Sequence, residues 1–430
     1  MGASVIVLVF LVCVFSTVPI GYAIGLSVVA YALFGGGSIN MGYIASGLFA
    51  SCDSFPLMAI PFFILSGALM EGGGLSRRLV LFFDSIVGHL TGGLAIVTVI
   101  TCMFFGAISG SGPATTAAIG AIMVPTMVEK GYDKKFAMAL VAAAGCLGVV
   151  IPPSIPMVTY GISVNASIAT MFMAGFLPGV LLGFLLILMA IRYCKKNGYT
   201  GNGRKFSAAN VWISFKDAVW ALLCPVIILG GIYSGHFTPT EAAVVSVVYG
   251  LLVGLFAYKE LDLKRLYEKF AEAASTHGTV NIIVGTSTIL GRVLTLEQIP
   301  DKIAQAMISV TDNKIIILLI INILLLACGC LLETNSSILI LAPILFPVVA
   351  AYGVNIVHFG IIMVVNLAIG MVTPPVGVNL FVACGIGKIP FAELVRRIIP
   401  FIIVMLIGLM LITYIPEISL MLPRLLGYRG

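Results

Sequence analysis

Apolar runs near the length of a membrane-spanning helix alternate along this chain with short connectors that hold its lysines and arginines. About 20 apolar residues suffice to cross the hydrocarbon of a bilayer as a helix. Two connectors are strongly basic. One carries Arg192, Lys195, Lys196, Arg204, Lys205 and Lys216; the other carries Lys259, Lys264, Arg265 and Lys269. Basic connectors stay on the cytoplasmic side, which orients the segments between them. Two spans, near Ala218–Tyr233 and Glu241–Tyr258, therefore meet outside at Ser234–Thr240. The second opens on Thr238-Pro239-Thr240-Glu241, a capping box with proline at the first helical position. Glu241 is read as a structural cap and not as a transport carboxylate.

Working backwards, Ala166–Ile191 crosses inward and Phe136–Gly161 outward, with Arg77, Arg78, Lys130, Lys134 and Lys135 inside. Leu94–Val128 then begins and ends inside. Its centre, "AISGSGPATT", is small, polar and glycine-rich. Such backbone cannot face lipid unpaired, and 35 residues are too few for two full spans. The pattern predicts a re-entrant hairpin with arms of about 15 residues and a tip near Ser109–Pro113. Working forwards, Val280–Leu296 crosses outward. Ile315–Val349, centred on "GCLLETNSSI", is a second hairpin entering from outside; Phe359–Ile386 returns inward and Ile399–Met421 goes out. Leu75–Gly88 and Ile299–Thr311, roughly amphipathic, precede the hairpins and suit a membrane surface. In the first 35 residues, Pro19 and Gly21 either kink one helix or turn between two, and the side of the N-terminus stays open.

Composition agrees. The 430 residues are 60% hydrophobic and 9% charged, with a mean hydropathy of +1.16; soluble domains carry about 25% charged residues. The chain is expected to be an all-α polytopic membrane protein. No basic region precedes the first apolar run, so no cleavable signal is expected. The net charge of +6 reads as inner-face lysines and arginines, not a nucleic-acid surface. Nine scattered cysteines read as small buried hydrophobes; only Cys328 and Cys330 lie close together, with no histidine near.

The chain also repeats. Adding 222 carries Pro125 to Pro347, Gly148 to Gly370, Pro152 to Pro374 and Pro153 to Pro375; the tip at Ser111 meets Glu333, and Thr115 meets Ser337. Each Pro-Pro follows a hairpin at the same distance, and the connector charges place the two units in opposite orientations. This is an inverted-topology repeat with discontinuous helices, the pattern of secondary transporters. Proline removes a backbone donor and clashes with the preceding turn, so Pro152-Pro153 and Pro374-Pro375 are expected to unwind two helices opposite the tips. A simple kink is the alternative, but it predicts no hairpin at equal spacing. Freed carbonyls and hydroxyls suit a hard cation such as Na⁺, and helix N-termini suit an organic anion. For Ser109, Ser111, Thr115, Thr334, Ser336, Ser337 and Thr373, helix-to-helix hydrogen bonding competes with a ligand role. Glu333 contacts an ion, relays a proton, or accepts backbone hydrogen bonds. Arg292 meets a substrate carboxylate, snorkels outward, or pairs with Glu297.

The stretches "FFGAISGSGPATTAAIGAIMVP", "GVVIPPSIPMVTYG", "GIYSGHFTPTEAA" and "GMVTPPVGVNLFVACG" together resemble the large membrane subunit of the tripartite ATP-independent periplasmic (TRAP) transporters, over nearly the whole chain. The resemblance implies an elevator-type transporter in a bacterial or archaeal inner membrane, importing organic anions such as C4-dicarboxylates, sialic acid or other sugar acids on a Na⁺ gradient. It implies two partners, a small four-helix membrane subunit and a soluble periplasmic substrate-binding protein, and no cofactor beyond Na⁺ as coupling ion. Carried onto this chain, the Na⁺ ligands fall among Ser109, Gly110, Ser111, Gly112, Gly148, Pro152 and Pro153, and among Gly329, Thr334, Asn335, Ser336, Gly370, Thr373, Pro374 and Pro375. Substrate contacts are expected among Thr115, Ser154, Arg292, Glu333, Ser337 and Asn379. The implied division is scaffold helices at 1–40, an arm at 41–55, and a first transport repeat at 56–195 with hairpin 94–128 and broken helix 136–163. A cytoplasmic loop at 196–217, scaffold helices at 218–258 and a second arm at 259–278 follow. The second repeat covers 279–425, with hairpin 315–349 and broken helix 359–386. No stretch like the small subunit precedes the first motif, so an unfused subunit is expected.

Other functions fit less well. There is no His-Glu-x-x-His, and neither Ser109 nor Ser111 has a Gly-x-Ser-x-Gly context, so no hydrolase is expected. A channel would leave both half-sites open together. A stand-alone Na⁺/dicarboxylate symporter shares the hairpin plan and is the nearest rival.

Overall fold

In the computed structural model the described residues are all but 1, 36–38, 202, 204–205, 301, 303–304, 306–310, 312 and 429–430. Among them, seven helices are long and apolar enough to cross a membrane, and an eighth span is the pair Lys134–Val150 and Ile155–Val164, bent by 41°. The protein is a multi-pass, all-helical membrane protein. About half of the described helices open on a side chain that takes up an otherwise orphaned backbone N–H: Asp133, Ser167, Ser207, Asp262, Asn313 and Asn355, for example, each accept one or two such bonds. The Thr238–Glu241 capping box forms as expected, with the Thr238 N–H donating to Glu241 Oε2 at 2.8 Å.

Both hairpins are present. Gly93–Ser109 turns at Gly110-Ser111 into Gly112–Glu129, and Lys314–Gly329 turns into Thr334–Ala351. Both helices behind them break at the paired prolines. The first runs Lys134–Gly145, Leu147–Val150, then Ile155–Val164; the second runs Ile356–Gly370, then Val378–Gly387. Both Pro-Pro peptides are cis. The offset of 222 now holds for helix boundaries: it carries Gly112 to Thr334, Glu129 to Ala351 and Lys134 to Ile356. Packing repeats it as well. Ile155–Val164 packs on Thr334–Ala351 of the other repeat, and Val378–Gly387 packs on Gly112–Glu129. Within each repeat the first hairpin arm packs on its own broken helix. This exchange places both tips and both breaks in one central body.

That body is where the protein is apolar all round. Phe136–Gly145 and Val357–Gly370 are buried at every residue, the expected place for helices without a polar face. Outer helices keep a lipid-facing stripe instead, as at Ile399, Ile403 and Ile407 of Phe391–Tyr414.

Several expected boundaries move. Pro19 turns between two helices, Gly2–Phe15 and Ile20–Phe34, which pack together. The 41–55 arm is mostly one helix, Met41–Cys52. The basic connector at 196–217 is shorter, because Ser207 caps a helix that begins at Ala208, ten residues before the expected span. The 259–278 arm and the span after it are one 34-residue helix, Leu263–Leu296; glycines at 278, 285 and 291 do not interrupt it. The last span starts at Phe391 and ends at Tyr414, and Glu417–Leu425 is a separate helix. Leu75–Val87 is the amphipathic helix before the first hairpin. Its expected counterpart, Ile299–Thr311, lies largely outside the described residues.

Candidate functional site

At the first tip the chain needs a sharp reversal, and Gly110 supplies it with φ +60°, a conformation that costs only glycine little. Ser111 then caps Gly112–Glu129, its Oγ accepting from the Ala114 N–H at 3.5 Å. Ser109 Oγ and Thr115 Oγ1 lie 2.9 Å apart, and the Thr115 hydroxyl donates to the Ser111 carbonyl at 2.7 Å. The first break presses against this cluster. A Cβ on Gly148 would lie 2.5 Å from Thr115 Oγ1 and 2.6 Å from the Ser111 carbonyl oxygen, and one on Gly106 would lie 2.7 Å from Gly148 Cα. Only glycines permit this approach of backbone to backbone. Across the break the Ile155 N–H donates to the Gly110 carbonyl at 3.5 Å, and the Ser154 hydroxyl donates to the Val149 carbonyl at 2.5 Å.

The second tip solves the same problem with a charged residue. Glu333 caps Thr334–Ala351. Its Oε2 accepts from the Ser336 N–H at 3.0 Å and the Ser336 hydroxyl at 3.2 Å, and its Oε1 accepts from Asn335 Nδ2 at 2.8 Å. Of the three roles open to Glu333, accepting hydrogen bonds at its own helix start is the one these contacts fulfil. The Ser337 hydroxyl donates to the Glu333 carbonyl, and the Thr373 hydroxyl to the Ile369 carbonyl. A Cβ on Gly370 would overlap the Gly329 backbone, which repeats the glycine contact of the first half. Hydrogen bonds from beyond each break help to stitch the repeats together. Thr159 beyond the first break donates to Asn335 Oδ1 at 3.0 Å. Asn379 beyond the second break donates to the Ala142 carbonyl at 3.3 Å, beside Gly112.

A cavity of about 660 Å³ opens between these parts. Ser109, Gly110, Ser111, Glu333, Thr334 and Asn335 line it from the tips. Ile64, Gly67, Ala68 and Glu71 line it from Ala59–Gly72, and Glu272, Thr276 and Thr279 from the long helix. Gly112, Thr115, Gly148, Pro152, Pro153, Ser154, Gly329, Ser336, Ser337, Gly370 and Asn379 are buried behind the tips and do not line it. The two breaks differ. Pro152 and Pro153 are buried, whereas Thr373 and Pro374 are half-buried and Pro375 is exposed, so the second break is sealed less completely than its symmetry mate. Arg292 is exposed and lies against Gly47, away from the cavity. Glu297 is not its ion-pair partner among the described contacts; that carboxylate accepts from the Tyr31 hydroxyl. Among the described residues no group of three histidines, cysteines or carboxylates could hold a metal. A second cavity, of about 650 Å³, is walled mainly by apolar side chains and glycines of Ile20–Phe34, Met41–Cys52 and the long helix, which adds Asn281 and Thr286, and meets neither tip.

Sequence reasoning missed Gly106, Thr159, Glu71, Glu272, Thr276 and Thr279. Gly106 had a readable signal, lying four residues before the turn glycine of the first tip. The others enter the site through tertiary packing and leave no local trace.

The model of the DctM component of the tripartite ATP-independent periplasmic transporters matches residues 7–418. The chain belongs to this family. It is 50% identical to the isethionate TRAP transporter permease protein DctMQ of Oleidesulfovibrio alaskensis, over 94% of this chain and 63% of that protein. It thus spans less than two thirds of that relative's length. It is 44% identical to the C4-dicarboxylate large permease DctM of Pseudomonas aeruginosa, over 89% of this chain and 90% of that one. To the sialic acid large permease SiaM of Vibrio cholerae it is 38% identical over 96% and 97%. A solved structure, the YdaH transporter of Alcanivorax borkumensis, shares the fold with a TM-score of 0.64 at 13% identity, over 87% of this chain and 89% of that one. As a TRAP large permease, the chain brings both hairpin tips to one cavity, which Ile155 and Met371 line from beside the two breaks.

Proposed function

We propose that this TRAP large permease imports organic anions on a Na⁺ gradient, with a small membrane subunit and a periplasmic binding protein, in a bacterial or archaeal cytoplasmic membrane. The observation that carries the reading is a single cavity lined by both hairpin tips, one from each inverted repeat. The tips bring neutral oxygens: Ser109 and Thr115 hydroxyls and the Ser111 carbonyl at one, the Thr334 and Asn335 side chains at the other. Hard monovalent cations take such ligands, and buried anions take helix N-termini. The exchanged packing of the repeats supports an elevator motion, since both half-sites travel with one buried body. Transported anions named for relatives are isethionate, C4-dicarboxylates and sialic acid, and the cargo is of that class.

The test is uptake into proteoliposomes containing this chain and its small subunit, with labelled isethionate, succinate and sialic acid. Uptake that needs both an inward Na⁺ gradient and the binding protein supports the proposal. Uptake without the binding protein identifies a stand-alone symporter instead. Uptake indifferent to Na⁺ removes the ion role of the tips.

A further inference from the structure

We infer that the groove between Ile20–Phe34, Met41–Cys52 and the long helix holds a membrane phospholipid, with one acyl chain along its floor and the phosphate diester on Arg292. The inference is independent of the transported cargo. Ile20–Phe34 runs beside the long helix in the same direction, Gly21 facing Ile282 and Gly25 facing Thr286. Met41–Cys52 runs against it, Gly47 facing Ile289 and the Cys52 thiol reaching the Asn281 carbonyl. Between these flanks lies the second cavity, of about 650 Å³. Gly21, Gly25 and Gly285 leave its walls bare at three points, and Leu26 and Phe49 on its rim are exposed. Its polar side chains are few, and the Thr286 hydroxyl is already bonded to the Ile282 carbonyl at 2.9 Å. Such a lining suits hydrocarbon, since a site for a polar ligand needs convergent polar groups.

Length and charge select the occupant. Val280 and Ile283, beside the inner end of the groove, also border the cavity of the hairpin tips, so this end lies toward the middle of the bilayer. At the outer end Asn40, Tyr43 and Ser46 are exposed where Met41–Cys52 begins, and tyrosine favours the headgroup level. Arg292 stands at that end too. It is eleven residues beyond Asn281, on the same helix face and about 16 Å along the axis, which matches the ~15 Å of hydrocarbon in one leaflet. Groove and cation adjoin: a Cβ on Gly47 would lie 2.5 Å from Ile289 Cδ1, which lines the groove, and 3.7 Å from Arg292 Nη1. Arg292 is exposed and has no partner among the described residues, and the nearby Glu297 carboxylate accepts from the Tyr31 hydroxyl. An unpaired cation at the edge of the hydrocarbon is costly, and the flat guanidinium fork matches a phosphate. The bilayer supplies phosphates at this depth, each already joined to an acyl chain, so a phospholipid satisfies charge and groove together.

The experiment titrates the full chain in detergent with phosphatidylglycerol and, separately, with diacylglycerol of the same acyl chains, and counts bound lipid by native mass spectrometry. The inference expects the phospholipid to bind at least about tenfold more tightly, as one charge-assisted pair provides. Arg292→Gln should bind both lipids alike, and Arg292→Lys should keep part of the difference. Phosphatidylglycerol brominated in its chains should quench Phe49→Trp, a substitution at an exposed groove residue, above the background of Trp212 and Trp220, and saturate at one lipid per chain. Adding the small membrane subunit should leave that lipid bound. An unchanged preference in Arg292→Gln, or no saturable quenching at Phe49→Trp, overturns the inference. Release of the lipid by the small subunit overturns it as well and assigns the groove to that subunit. Should Arg292→Gln fail to fold, Arg292→Lys and the quenching still decide.

Discussion

At Gly370 a single methyl group decides whether the second hairpin can seat. Its Cβ would overlap the Gly329 backbone, and backbone cannot swing aside as a side chain does. Gly106 against Gly148 poses the same problem in the first half. Overpacking of this kind costs about 1–3 kcal/mol, and more where nothing can yield. Gly370→Ala and Gly106→Ala are therefore expected to lower the thermal midpoint of the purified protein and to abolish uptake. Gly278 and Gly385 also lie inside helices, but a Cβ there meets nothing within 4 Å. Gly278→Ala and Gly385→Ala should be neutral or stabilise by up to about 1 kcal/mol through helix propensity. Four thermal melts check both halves of the prediction. Part of this was legible in the sequence, because the offset paired Gly148 with Gly370. Gly329 was among the candidate ligands and Gly106 stands four residues before a turn glycine, but their contacts with Gly370 and Gly148 form only in space. Glu333 was visible as an intramembrane acid, yet its use as a cap depends on where its own helix begins.

Between elements, few polar contacts join packed apolar faces. Thr159 is the one that ties the helix beyond the first break to the second tip. Its hydroxyl is shared with the Ile155 carbonyl at 3.0 Å, so Thr159→Val leaves Asn335 Oδ1 buried without that donor, at a cost of about 1–2 kcal/mol. The variant should weaken Na⁺-dependent thermal stabilisation more than the melt in its absence, because the tip and not the body loses its tether. A second junction is Arg78 on the amphipathic helix, which reaches Glu260 at 2.6 Å and Asp217 at 3.5 Å and lies 3.7 Å over the Tyr258 ring. Arg78→Ala removes all three and should lower the melting midpoint by several degrees. Arg78→Lys should restore only part, since an ammonium lacks the flat fork that stacks and pairs at once. Hairpins and breaks were readable as elements because small polar residues and Pro-Pro stand out in apolar runs. The continuity of Leu263–Leu296 was not. Its basic first half and apolar second half look like two segments, and only a helix spanning both lets Lys269 pair with Glu71 while Thr276 lines the cavity.

For the whole molecule, the repeat makes two half-sites and the cavity gives them one opening. Its lining runs from the tips to Glu71 and Glu272, next to Lys269 and close in sequence to Arg77 and Arg78. By the positive-inside rule that is the cytoplasmic end. Thr276, exposed on the long helix, lines this opening, while Ser234 is exposed at the turn between two spans at the opposite end. A membrane-impermeant thiol reagent should therefore label Thr276→Cys in inverted membrane vesicles and spare it in right-side-out ones, and Ser234→Cys should show the reverse, each measured above the parent chain with its nine native cysteines. If Na⁺ and cargo carry the central body to the outer side, adding both should reduce labelling of Thr276→Cys from the inside, as the long helix closes over the tips, while leaving Ser234→Cys unchanged. Labelling of Thr276→Cys from outside alone would invert the orientation drawn from the basic connectors. Equal labelling from both sides at once would mean that the tips line an open pore, and no carrier could hold a gradient across it.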